Sequence, residues 1–107
     1  MPREQGGKLQ LVSDRSMPEA PLGRSATRLN VQNSVTTWGD AVVELEWSVD
    51  TDDNTEHWAS FNPTITFSSS NPSQQRIPVA GVDKVRLKTT TADSTASTDA
   101  RYFMMAF

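Results

Sequence analysis

Residues Val42 to Phe61 read VVELEWSVDTDDNTEHWASF, and the opening of that stretch decides the fold. Val43, Leu45, Trp47 and Val49 fall on one face of an extended chain, and Val42, Glu44, Glu46 and Ser48 fall on the other. A two-residue apolar period is that of a half-buried β-strand, because successive side chains of a strand point to opposite sides of the sheet. The acidic stretch Asp50 to Thr55 turns the chain, and EHWASF returns as a strand that would set Trp58 beside Trp47, both in the core.

The same alternation recurs on either side. Thr27, Leu29, Val31, Asn33 and Val35 alternate with Arg28, Asn30, Gln32 and Ser34, and Trp38-Gly39-Asp40 turns into the Ala41 to Val49 strand. Thr64 to Phe67 is a short strand with Ile65 and Phe67 on one face, followed by the polar loop SSSNPSQQ. Arg76 to Val79 belongs at a sheet edge, because Pro78 has no N–H to give to a ladder. Val82 to Thr90 puts Val85, Leu87 and Thr89 inward and Lys84, Arg86 and Lys88 outward, where Glu44 and Glu46 would face Arg86 or Lys88 across the sheet. Arg101 to Phe107 is apolar on both faces, with Tyr102, Met104 and Ala106 on one and Phe103, Met105 and Phe107 on the other. Such a strand needs cover on both sides, and an opposing sheet supplies only one. The second cover has to come from the N-terminal residues or from another subunit.

Residues 1–25 carry Pro2, Gly6, Gly7, Pro18, Pro21 and Gly23, breakers that argue against a long helix or a regular strand. They read as an extended N-terminal arm, with KLQLV from Lys8 to Val12 as one short strand able to add to a sheet edge. Residues 26–107 read as one all-β domain, a small antiparallel β-sandwich of jelly-roll or Ig-like type. A chain of 107 residues with 36% apolar side chains supports a single thin core, and without cysteine no disulfide or thiolate metal site supplements it. No apolar stretch resembles a secretory signal or a membrane span, so synthesis in a reducing cytoplasm is the expectation.

The formal net charge is −3, unevenly spread. Residues 40–58 hold Asp40, Glu44, Glu46, Asp50, Asp52, Asp53 and Glu56 without a lysine or arginine. The basic residues elsewhere are not interleaved with exposed aromatics, which argues against a nucleic-acid surface. Asp50-x-Asp52-x-Asn54 begins like a calcium loop, but Thr55 stands where the EF-hand needs glycine and Phe61 where it needs glutamate. A solvated loop is the better reading. The single histidine, His57, makes neither a zinc site nor an acid–base pair, and no nucleophile motif or phosphate loop is present. The expectation is a protein without catalytic residues, cofactor, metal or small-molecule substrate. Of the three tryptophans only Trp38, beside a turn glycine, is open as a surface contact, a thin basis for a glycan-binding module.

Three elements together resemble a group of small β-sandwich proteins in the structural modules of tailed bacteriophages: a VxLExSxD strand leading to tryptophan (Val43 to Asp50, then Trp58), IPVxGxxxVRL (Ile77 to Leu87), and a Ser/Thr-rich loop with a last strand (Thr89 to Phe107). The resemblance covers roughly residues 27–107, and TDDNTEH replaces the usual short turn. It implies a non-enzymatic virion structural protein, foremost a capsid decoration or cement protein that binds and stabilises the assembled shell, located on the capsid surface. Its expected partners are the major capsid protein and sister subunits in a homo-oligomer on the particle, with neither nucleic acid nor membrane. The expected partner contacts are Leu9, Leu11, Val12, Met17, Leu22, Trp38, Phe103, Met105 and Phe107. A tail or head-to-tail connector component and a glycan-binding module are the alternatives.

Overall fold

The computed structural model describes residues 3–8, 11, 20–21, 26–49, 57–97 and 100–107, giving backbone alone for 3–5, 8, 20 and 21. Its strands are β1 (Arg3–Lys8), β2 (Ala20–Pro21), β3 (Arg28–Asn33), β4 (Val42–Ser48), β5 (Ala59–Ser60), β6 (Thr66–Phe67), β7 (Gln74–Pro78), β8 (Lys84–Thr91) and β9 (Arg101–Ala106). They form two sheets, ordered β1-β9-β3-β7 and β2-β8-β4-β5, with β6 also on β4. Every pairing is antiparallel. Both sheets remain open, so the arrangement is sandwich-like and is not a closed barrel or jelly roll.

One apolar cluster joins the two layers. The first sheet contributes Leu29, Val31, Ile77, Tyr102 and Met104, and the second contributes Val43, Leu45, Phe67, Val85 and Leu87. Leu45 and Leu87 are opposite each other in the β4–β8 ladder, so each strand's apolar set meets its partner's on the inner face. Full burial of one such side chain contributes roughly 1.5–3 kcal/mol. Gln75 is a polar residue at an inward register position, opposite Val31: its Nε2 donates to the Thr66 carbonyl at 2.8 Å and ties the two sheets together.

The outward half of the β4–β8 ladder also follows the charge pattern. Glu44 is in register with Lys88, and Glu46 with Arg86, whose Nε donates to Glu46 Oε1 at 2.8 Å. Pro78 ends β7, an edge strand, where its missing N–H leaves no ladder bond broken.

Several expectations are corrected. Val49 was placed inward, but β4 ends at Ser48 and the chain leaves the sheet there, so Val49 is exposed. Ser48, placed outward, is buried. The returning strand over His57 to Phe61 shrinks to Ala59–Ser60, paired with Glu46 and Trp47. Trp58 lies outside the core: the Arg86 guanidinium stands 4.3 Å from its ring centroid and the Lys84 ammonium 5.6 Å. Arg86 and Lys84 project from the outer face of the second sheet, so the indole is drawn to that side by the attraction of cations to its ring.

The glycine-rich start of the chain is a regular strand, against the breaker argument. β1 runs antiparallel to β9 from Arg3↔Ala106 to Lys8↔Arg101, and Gly6 and Gly7 fall opposite Phe103 and Tyr102. A Cβ on Gly7 would lie 2.8 Å from the Tyr102 ring, and one on Gly6 would lie 3.3 Å from Phe103 Cδ1. Two adjacent aromatics on opposite faces of β9 thus lean over two adjacent glycines. The absence of side chains there is what lets β1 pair, the close approach for which a strand tolerates glycine. Of the strand expected from Lys8 to Val12, only Lys8, which ends β1, and Leu11 fall among the described residues. Leu11 is 1% exposed and sits in the chain's own core, while its carbonyl accepts from the Asp93 N–H at 3.0 Å.

Candidate functional site

The two outer faces differ in kind. That of the second sheet satisfies itself: the Glu46–Arg86 ion pair, Lys88 opposite Glu44, Arg86 stacked on Trp58, and the Ser60 hydroxyl donating to the Glu44 carboxylate. Each of its two carboxylates stands opposite a cation of the same sheet.

The outer face of the first sheet carries amides and apolar groups at its centre, with charged residues such as Arg28, Arg76 and Arg101 around them. Antiparallel register places Arg76, Asn30 and Met105 in one row across β7, β3 and β9. Gln74, Gln32, Phe103 and Gly6 form the next row, continuing to β1. Neighbouring strands lie about 4.8 Å apart and next-nearest residues on one face about 6.8 Å, so seven residues distant in sequence line one patch. These rows line a trough of about 870 Å³. Phe103 is 53% exposed, and Met105 is half-buried beside it. At the centre, Asn30 Oδ1 is buried with no hydrogen-bond partner. A buried acceptor without a partner forfeits about 1–3 kcal/mol of solvation, and this one is in the wall of an open trough.

The residues expected to meet a partner are scattered. Phe103 and Met105 line the trough, and Phe107, 48% exposed, follows on the same strand face. The Phe107 main chain is pinned, its carbonyl accepting from Thr27 N at 2.8 Å and its N–H donating to the Arg28 carbonyl at 2.9 Å. Leu11 is core, and Leu9, Val12, Met17 and Leu22 lie outside the described residues. Trp38 is half-buried against the core, beside a turn that a loop pair holds. That pair is a clamp: Asp93 accepts from Asp40 N at 2.6 Å and from the Thr95 N–H and hydroxyl at 2.8 and 2.6 Å. Ser97 Oγ accepts from Thr37 N at 2.7 Å, and Ser97 N donates to the Thr37 carbonyl at 2.7 Å. The Thr95 hydroxyl, then the Asp40 and Thr95 N–H groups, hold the Asp93 carboxyl below its ordinary value. Gly39, at φ 56°, has no room for a Cβ, which would fall 2.6 Å from Asp93 Oδ2.

Asn30, Gln32, Gln74 and Arg76 were not singled out in the sequence. The alternation of Asn30 and Gln32 was visible, but Gln74 and Gln75, which the sequence places in the loop SSSNPSQQ, open β7, and the adjacency of Asn30, Gln32, Gln74 and Arg76 depends on the β9-β3-β7 order. Among the described residues no group of three or more His, Cys, Asp or Glu side chains is placed to hold a metal ion. The acidic Asp50 to Glu56 loop lies outside them.

The chain shares its fold with a prophage protein. The crystal structure of the SPBc2 prophage-derived protein YomS superposes with a TM-score of 0.54 at 13% identity, over 99% of this chain and 94% of that one. A family 16 carbohydrate-binding module aligns over 97% of this chain and 66% of its own at 10% identity, but with a TM-score of 0.27, too low to bear on the fold. No protein-family model matches the sequence, and no curated protein matches it.

Proposed function

We propose that the chain is a non-enzymatic structural protein of a tailed-phage particle, and specifically a capsid decoration protein that binds the assembled shell and stabilises it. The observation that carries the reading is the fold shared along nearly the whole chain with a prophage-derived protein. The phage-type strand motifs add to it, and so does an apolar ring, Phe107, held outward by a fixed main chain. Its contacts with major capsid protein are Phe107 together with Leu9, Val12, Met17 and Leu22. Binding only the assembled state stabilises that state by mass action, so many small contacts suffice.

The test is sedimentation of the purified protein with empty capsids. Saturable binding at a copy number set by the shell's symmetry supports decoration, and Phe107→Ser should weaken it without lowering the melting temperature. Binding to isolated tails in place of capsids would move the protein to the tail, and binding to neither would sink the virion reading. Removing residues 1–25 is a poor substitute for this experiment. It would strip β1 from β9 and β2 from β8, and so unfold as well as undock.

A further inference from the structure

We propose that the trough on the outer face of the first sheet is a saccharide-binding site, with a sugar ring resting on Phe103 and its hydroxyls held by Asn30, Gln32, Gln74 and Arg76. The inference is independent of the virion reading. It assigns Phe103 and Met105 to a ligand and leaves Phe107 and the N-terminal residues for the shell.

The chemistry of the lining selects the ligand. Side-chain amides both donate and accept, as sugar hydroxyls do, and three of them stand in adjacent register positions. Arg76 adds donors, and no carboxylate is among the lining residues whose side chains are described, so that part of the lining suits a neutral or uronate-bearing sugar, with Glu4 at the register position beside Met105 on β1. Asn30 Oδ1 is an acceptor without a donor inside the chain, and turning its side-chain amide toward the trough would offer it to a hydroxyl group. On the β9 side Phe103 and Met105 offer an apolar floor. The trough is therefore polar along one flank and apolar along the other, matching a pyranose, which has a hydroxyl rim and a C–H face.

A peptide is the poorer match. β9 and β3, which floor the trough, are internal strands whose main-chain groups are committed to ladders on both sides, so an added strand could pair only along the outer edges of β7 or β1 and not across the floor. An apolar protein partner would leave Asn30, Gln32 and Gln74 desolvated and unpaired. The volume is within the range of small-molecule sites.

The experiment is an array of neutral and uronate-bearing oligosaccharides probed with the full chain, followed by NMR titration of the strongest binder against three variants. Wild type should bind at least one class, with shifts in Asn30, Gln32 and Phe103. Gln32→Leu, which keeps the strand and makes the face more apolar, should weaken binding about tenfold, the equivalent of one lost hydrogen bond. Phe103→Ala should weaken it at least as much, and Lys88→Ala on the other sheet should leave it unchanged. An array with no binder at millimolar sugar overturns the proposal. So does a titration in which Gln32→Leu binds as well as or better than wild type, the result expected of an apolar docking surface. Capsid sedimentation reads the virion hypothesis separately, so either can fail alone.

Discussion

Replacing Gly7 by alanine isolates the contact that lets the N-terminal strand join the sandwich. The new Cβ would lie 2.8 Å from Tyr102 Cε1, 2.9 Å from its hydroxyl oxygen and 3.0 Å from Cζ. Carbon atoms prefer separations of about 3.5–4.0 Å, so something must give by most of an ångström. Tyr102 is 0% exposed and cannot swing away, which leaves β1 to lift from β9. Overpacking of this kind costs about 1–3 kcal/mol, against a gain of roughly 0.5–1 kcal/mol from replacing a strand glycine. The net is a loss centred on about 1 kcal/mol and at most about 2.5 kcal/mol, so a fall of roughly 4–5 °C in melting temperature for a domain this size. Gly6→Ala is the internal control. Its Cβ would meet Phe103 Cδ1 at 3.3 Å, but that ring is 53% exposed and free to turn, so the variant should melt within about 2 °C of wild type. Thermal unfolding by circular dichroism decides it, with Tyr102→Leu as the cycle partner: once the ring is gone, Gly7→Ala should no longer destabilise. Equal melting of Gly7→Ala and Gly6→Ala, or an undiminished penalty in the Tyr102→Leu background, would refute the reasoning.

Arg86 has two partners, so a double-mutant cycle of Glu46→Ala with Arg86→Ala should give a coupling of about 0.5–1 kcal/mol by urea unfolding, while Arg86→Ala alone costs more than Lys88→Ala because it also uncovers Trp58. A coupling of zero would show that the pair is merely adjacent. Asp93 titrates lower in the folded chain than in the unfolded one, so its contribution is complete above the ordinary value of 3.8 and disappears as pH falls through the lower folded value. Acid titration should therefore show wild type losing its advantage over Asp93→Asn below that point; a constant gap down to pH 2 would contradict it. Gly39→Ala meets both a positive φ and the Asp93 carboxylate, and should lower stability by more than about 1 kcal/mol in the same urea assay, whereas Gly81→Ala, with φ 81° but open space around it, should lose only the backbone share.

What could be read from the sequence was whatever depends on one strand or on a pair related by charge. Alternation in Val82 to Thr90 gave Val85, Leu87 and Thr89 as buried residues, and the opposition of Glu44 and Glu46 to Lys88 and Arg86 followed from sign alone. Gly6-Gly7 was misread because its meaning lies in Tyr102-Phe103 at the other end of the chain. Taken locally, two glycines are breakers; set against two splayed aromatics, they are the fit. Trp58 was misread for a similar reason: the cations that attract it come from β8, and an indole offers no local sign of which layer it will choose.

The trough was illegible for a further reason, which also bears on what it does. Asn30 and Gln32 occupy ordinary outward positions of a strand, as do Gln74 and Arg76 on theirs. A solvent-facing sheet surface with no task is well served by opposed charges, and the second sheet of this same chain is built that way. At its centre the first sheet instead sets uncharged amides in register beside an exposed phenylalanine and buries an acceptor among them without a donor, leaving Arg76 and Glu4 to the two ends of one row. Solvation alone does not account for that choice, since charge pairs would keep the face wet without stranding Asn30. A ligand bearing hydroxyl donors and a hydrocarbon face accounts for the amides, the aromatic ring and the unfilled acceptor together, and Gln32→Leu is the single change that separates it from a surface built only to stick.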